Sequence, residues 1–490
     1  MAMMNKLGSV ASVAALLLAG ACSTDLNISN TNTADQKRAL ASPEVVLNLA
    51  KTSVNSWYLT STFYRPYEMM TVTSDVLTAN VGSFGMRFNN VEPRIAYNNS
   101  SAADDGRVAY DHWNSNYQTL DAANDALRAF AGGLQLEGGA DETEATKQLA
   151  MFSQAAVLTN LALAFDRAFI LDETTDPEKQ LPQLESYKNV TSAALAKWDA
   201  VIAATNGKSY TYDATVLPLT GGDLTSSRLN RIANTMAALL TAYSSRTAAE
   251  AQTVNWAKVA AYADKGIGAG SAGAPFDFSV IGDNDRWYSY YLLYADYPDW
   301  VRVDMRVINL MDPSQPAKFN GTISPKASGD KRLDTDIGYL GNVVGDATRG
   351  VYMQSPYYHK RYEYHSWQSD TYATGPAPYI LAAESDLIRA EALIRSGGSL
   401  ATAADLINNT RVTRGGLTPA AATDGAAALL NDIYYERDVE LIATNGWDLF
   451  RNRMVDRLQP GTLRHLPVPA KELEIQRMAN YTFGGTGKEM

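Results

Sequence analysis

Cysteine is almost absent. Cys22 is the only copy in 490 residues, so no disulfide framework holds this fold. Histidine is nearly as scarce, and His112, His359, His365 and His465 fall at no metal-ligand spacing. There is no H-E-x-x-H, no Walker loop and no G-x-S-x-G, which removes the usual starting points for hydrolytic and phosphoryl chemistry. Residues 268–273 match G-x-G-x-x-G by letter. They follow a helical pattern and run into Pro275, however, where a dinucleotide site needs a strand before and a helix after. Asp283 and Asp285 lack the further oxygen ligands of a calcium loop. Basic clusters are missing too, and with a net charge of -11 the chain is not built for nucleic acid, whose phosphates demand grouped Lys and Arg. The apolar run at 10–19 is too short to span a bilayer as a stable helix. These absences point to binding rather than catalysis, with no metal and no cofactor.

What is present is helix. In the stretch 378–416, Ile380, Ala383, Leu387, Ala390 and Ile394 recur at spacings of three and four, which places them on one helical face. Glu384 and Asp386 lie early and Arg389 and Arg395 late, as the macrodipole favours. Gly397 and Gly398 end the helix, and Ser399 is set to cap a second one carrying Leu400, Ala403, Ala404 and Ile407. Similar alanine-rich pairs are predicted at 144–170 with 187–204 and at 229–243 with 256–267. Earlier faces run from Val45 to Trp57 and from Trp113 to Leu127. Small alanines facing bulky residues let antiparallel helices approach closely, the packing logic of a tetratricopeptide-like repeat. The expected fold is therefore mostly α. A helical-repeat scaffold over about 36–268 and 378–443 is interrupted by an irregular lobe at about 269–377 and followed by an extension at 444–490.

At the N-terminus, Lys6 and the apolar run read as a secretory signal over 1–21. The run ends Leu18-Ala19-Gly20-Ala21-Cys22, which resembles a lipoprotein lipobox and makes Cys22 the expected lipid anchor. Residues 22–35, polar and without periodicity, read as a tether.

Tyrosine is in excess, 27 copies against 12 phenylalanines, and it concentrates in the lobe. One window, 286–300, holds Trp287, Tyr288, Tyr291, Tyr294 and Trp300; a second, 352–372, holds Tyr358 and Trp367. Neither alternates cleanly enough to bury every ring, so some are expected to face solvent. Exposed aromatic faces suit sugar rings, with Asp296, Asp299, Arg302 and Arg361 at hand for hydroxyls. Residues 71–97, with Arg87, are expected to form a long irregular loop on the same surface. The candidate ligand-binding residues are thus Arg87, Trp287, Tyr288, Tyr291, Tyr294, Trp300, Tyr358 and Trp367.

The C-terminal third carries a family resemblance. Residues 433–453 read I-Y-Y-E-R-D-V-E-L-I-A-T-N-G-W-D-L-F-R-N-R, followed by Leu466-Pro467-Val468-Pro469 and Glu472-Leu473. Glu436, Arg437, Glu440, Leu441, Asp448, Leu449 and Arg451 resemble the signature of the SusD/RagB family of outer-membrane nutrient-binding lipoproteins. Residues 387–392 also fit, as do Trp113, Tyr117, Ala123 and Asn124. Thr444 to Trp447 depart from it, lacking the usual acidic residue and arginine. The resemblance implies a lipid-anchored protein of the outer membrane and cell surface. Such a protein captures an oligosaccharide, or in some relatives a peptide, and passes it to a TonB-dependent outer-membrane transporter. An exported helical-repeat scaffold for protein interactions is the alternative reading. Glu436, Arg437 and Glu440 read as a helix-surface ion network holding the C-terminal tail.

Overall fold

The computed structural model describes residues 38–81, 85–176, 182–269, 273–327 and 329–485. The signal segment, the tether and Cys22 lie outside the described residues.

Helices α1 (Pro43–Ser61), α2 (Tyr64–Thr73), α3 (Asp104–Ala131), α4 (Ala140–Ala164), α5 (Tyr187–Thr205), α6 (Ser226–Tyr243) and α7 (Trp256–Ala263) make up the first half of the described chain. Strand β1 (Leu77–Thr78) follows α2, and β2 (Arg167–Phe169) pairs with β3 (Leu184–Ser186) between α4 and α5. The hydroxyls of Ser186 and Thr225 accept backbone N–H groups at the starts of α5 and α6, where four donors would otherwise be unsatisfied. Helices α1, α3, α4, α5, α6 and α7 pack one on the next.

The stack does not stop at α7. It continues to α10 (Ala382–Arg395), α11 (Leu400–Arg411) and α12 (Gly425–Glu440), although more than a hundred residues of chain intervene between α7 and α10. Those residues carry β4 (Phe278–Asp283), α8 (Tyr290–Ala295), β5 (Arg302–Val303), α9 (Met305–Met311), β6 (Ile337–Tyr339), β7 (Tyr357–His359) and β8 (Thr374–Ile380). Strand β4 pairs antiparallel with β8, β1 with β5 and β6 with β7. The first ribbon is rooted in the stack: Phe278 stacks on Trp57 of α1, and Tyr379 meets Trp57 and Trp447 edge-on. After α12 come α13 (Asp448–Arg453) and α14 (Ala470–Ile475).

The α10–α11 turn has the expected chemistry. Gly397 takes φ +76°, the N–H groups of Gly397 and Gly398 close on Ile394 and Leu393, and Ser399 caps α11. Four readings need correction. Ile380 belongs to β8 rather than to α10, because the ribbon runs up to the helix start. The helix at 144–170 ends at Ala164, where the chain turns into β2. Residues 71–81 are not a surface loop: α2 runs to Thr73 and the segment is buried up to Asn80, with β1 held by β5. Glu436, Arg437 and Glu440 are no surface network. All three are buried; Arg332 takes Glu436 at 2.7 Å and Glu440 at 3.0 Å, and Arg437 takes Glu391 at 2.6 Å.

Two further arginines are buried against carbonyls. Arg246 donates to Ala162 and Phe165 at 2.6 and 3.1 Å, and Arg453 to Leu163 and Tyr243, both at 2.9 Å. These oxygens end α4 and α6, where the macrodipole is negative. His465 sits with them, and burial, reinforced by Arg246, Arg453 and Arg464, pushes its imidazole well below the usual range. The folded state thus keeps His465 neutral, while the unfolded chain protonates it near pH 6.5. Its stabilisation is complete above that pH and is lost as pH falls, by about 1.4 kcal/mol per unit. His465→Gln should therefore show a shallower decline of thermal midpoint between pH 6.5 and 5 than the parent chain. Equal slopes would mean that His465 accepts its proton without unfolding.

Candidate functional site

The two aromatic windows meet around α8. Ser289 caps this helix, its hydroxyl accepting from the Leu292 N–H. Tyr291, Leu292, Leu293 and Ala295 turn inward, leaving Tyr290 and Tyr294, four residues apart, on the outer face. Contacts from the second window fix its position. The Trp367 N–H donates to the Leu293 carbonyl at 3.0 Å. His365 Nε2 accepts from the Ser289 N–H at 3.1 Å, while its Nδ1 faces the Thr374 carbonyl at the same distance. Burial lowers the His365 pKa to about 4, so the ring is neutral and can serve both partners. Asp296 accepts from His359 Nδ1 at 2.6 Å and from the Tyr362 N–H at 2.7 Å.

This framework lines up four rings. Trp300 and Tyr294 lie 5.2 Å apart between centroids, tilted by 42°. Tyr294 and Trp367 are 6.3 Å apart and within 8° of parallel. Tyr372 follows Trp367 at 5.5 Å. Trp367 is 53% exposed and Tyr372 40%, with Tyr294 and Trp300 half-buried. Toward the other end of α8, Tyr290 meets Tyr288 and Phe63 edge-on at 4.7 and 5.3 Å.

A cleft of about 830 Å³ adjoins the row, lined by Asp299, Tyr358, Arg361, Tyr364 and Gln368 among others. Gln368 donates to Asp299 at 3.1 Å, bridging the two windows at its edge. Tyr358 crosses Gly338 so closely that a Cβ there would stand 2.1 Å from its ring, so Gly338 lets the ring lie flat along the wall. Flat aromatic faces beside paired donors and acceptors can hold a ring that is apolar on one face and hydroxylated at its edge. Among the described residues no group of His, Cys, Asp or Glu could hold a metal ion.

Of the eight sequence candidates, Tyr294, Trp300 and Trp367 form the row, Tyr358 lines the cleft and Tyr288 lies at the far end of α8. Two are corrected. Trp287 is 3% exposed, with its indole N–H on the Thr215 carbonyl at 3.2 Å and its ring against Tyr58. The turn after β4 causes this: Asp283 accepts the N–H groups of Asp285, Arg286 and Trp287 and folds the tryptophan inward. Tyr291 is 1% exposed, its hydroxyl against Thr71 at 2.9 Å, because it lies on the inner face of α8. Arg87 stacks over the exposed Phe88, on a segment whose neighbours Asn80 and Glu92 meet Asp346 and Tyr352 rather than the row. Arg302 is buried and holds backbone at Ser355 and Asn342. Tyr290 and Tyr372 were legible only as members of aromatic windows; their exposure depends on α8 and on the second window's docking.

Comparison with known proteins places this architecture. Residues 318–485 match the SusD family model. The match falls on the C-terminal third and bears out the SusD/RagB resemblance read there in the sequence. Solved structures of similar fold include a SusD superfamily protein from Bacteroides vulgatus, at 16% identity and TM-score 0.58, covering 87% of this chain and 96% of that one. A SusD-like carbohydrate binding protein from the same organism shows 15% identity and TM-score 0.57, covering 83% of each chain. Surface glycan-binding protein A from Bacteroides uniformis shows 14% identity and TM-score 0.61, covering 90% and 99%. No curated protein matches. Within this SusD-like fold, the matched segment takes in the second aromatic window, helices α10 to α14 and the buried ion network, while the first window precedes it.

Proposed function

We propose that this SusD-like protein captures an oligosaccharide at the cell surface, without acting on it chemically, and delivers it to a TonB-dependent outer-membrane transporter. The observation that carries the reading is the near-parallel pair Tyr294 and Trp367, part of a row of four rings beside a polar cleft. Sugar rings offer axial C–H faces to such a pair, and their hydroxyls suit Asp299, Arg361 and Gln368. The names of two similar structures, one carbohydrate-binding and one glycan-binding, support it. Cys22 is the proposed anchor, and several acyl chains, at about 0.8 kcal/mol per buried methylene, would make attachment permanent. Among the described residues no helix is long and apolar enough to cross a membrane. In this reading the helical stack is the scaffold, the lobe between β4 and β8 carries the ligand, and residues 444–490 are a C-terminal extension.

One set of membrane preparations tests it. The Cys22→Ala protein should move into the soluble fraction, whereas the parent should stay in the pellet after a salt wash. Purification of the parent in mild detergent should bring down a large barrel protein in near-equal amount, and a glycan array should return a specific oligosaccharide. Recovery of the chain alone, under conditions that keep other envelope complexes intact, would count against the transporter.

A further inference from the structure

Beneath the row lies a buried carboxyl that takes no part in the cleft. Glu68, on α2, is fully buried, and its Oε2 accepts the indole N–H of Trp300 at 3.0 Å. We propose that Glu68 is the positioning residue of the binding row, fixing the angle at which Trp300 meets Tyr294. This rests on the reading of the row as the glycan surface.

The geometry favours the role. Trp300 has one polar hydrogen, and tying it to a side chain that cannot reach solvent restricts rotation of the ring. Trp300 packs on Tyr294, which lies parallel to Trp367, so one fixed end sets the tilt along three rings. Glu68 is itself held from behind, since α8 packs on α2 and Tyr291 bonds to Thr71 one turn further along the same helix. Its other oxygen, Oε1, has no hydrogen-bond partner. A buried carboxyl with one oxygen idle is costly, and a contact to the site is a physical reason to keep it. Burial raises its pKa well above the usual carboxylate range, with Trp300 and Arg65 pulling the other way. The acceptor oxygen, more than a negative charge, is what Trp300 uses, so glutamine should replace Glu68 and leucine should not.

The test uses the full chain with its eight tryptophans replaced by 5-fluorotryptophan. The Trp300 fluorine line is identified by its absence from Trp300→Phe. In Glu68→Leu that line should shift and broaden while the lines of buried Trp57 and Trp198 stay in place; in Glu68→Gln it should keep its position. An unchanged Trp300 line in Glu68→Leu overturns the proposal. The second arm is affinity electrophoresis through gels containing amylopectin, xylan or galactomannan. Glu68→Leu should lose retardation about fivefold and Glu68→Gln should keep it. Retardation equal to the parent's in Glu68→Leu also overturns the proposal. Should Glu68→Leu fail to fold, Trp300→Phe removes the same hydrogen bond while keeping a ring, and parental retardation in that variant overturns the role. If no gel retards the parent chain, the glycan reading suffers, and the fluorine line still decides whether Glu68 positions Trp300.

Discussion

Replacing Arg332 with Met should destabilise the fold by about 4 kcal/mol, the range expected when one partner of a buried ion pair is removed. Arg332 has no exposed surface, and it binds Asp330 at 2.6 Å, Glu436 at 2.7 Å and Glu440 at 3.0 Å. Glu440 would keep Arg361 and Arg414, and Asp330 would keep the Tyr435 hydroxyl, but Glu436 would lose the cation that faces it. Burial already raises the Glu436 pKa and Arg332 holds it down; without Arg332 it must rise further above its unfolded value. A carboxyl raised in this way weakens the fold at pH values above its folded pKa. The defect should therefore shrink as pH falls toward about 4.3 and the folded carboxyl takes a proton. Urea unfolding of Arg332→Met at pH 7.5 and 5, with Glu436→Gln as a rescuing second change, measures both effects. A loss under 1 kcal/mol at pH 7.5, or no rescue, would show that the network is not what holds these segments together.

Trp287→Ala and Trp367→Ala should part company. Trp287 is enclosed by Tyr58 and the Thr215 carbonyl, and truncating such a ring costs roughly 3 to 5 kcal/mol. Trp367 is half in solvent, so its loss should change stability by no more than about 0.5 kcal/mol. For ligand the order reverses: a sugar stacked on Trp367 should lose about 1 kcal/mol, near fivefold in affinity. Thermal midpoints and retardation in polysaccharide gels, measured on both variants, read the two effects. A collapsed midpoint for Trp367→Ala, or undiminished retardation, would remove Trp367 from the binding surface.

The difference between these two tryptophans marks what sequence can reveal. Helices α4 to α7 and the α10–α11 turn were readable because each repeats a local pattern of alanine against bulky residues, closed by Ser, Thr or Gly. The family resemblance was readable from Glu436, Arg437 and Glu440, yet their burial was not, because the arginine that neutralises Glu436 lies 104 residues earlier. In the lobe, the aromatic windows were visible as composition, but which rings face out is settled by a six-residue helix and one aspartate turn. Periodicity says little over so short a span. Glu68 was invisible for a related reason: a lone acid in a helix acquires meaning only when Trp300 arrives from 232 positions away.

The ribbon of β4 and β8 has a consequence for how such a chain diversifies. Because Phe278–Asp283 and Thr374–Ile380 lie side by side, everything between them leaves the helix stack and returns at one doorway. Lengthening a loop closed in this way is entropically mild, about 0.6 kcal/mol for each doubling. The doorway is bolted by Trp57 of α1 and by Trp447 at the start of α13. The lobe is an insert with one entrance and many braces: changes within residues 284–373 are best tolerated where they leave the two strands paired and spare the contacts to the rest of the chain, among them β5 with β1, Tyr291 with Thr71, Arg306 with Asp438, Arg332 with Glu436 and Trp300 with Glu68.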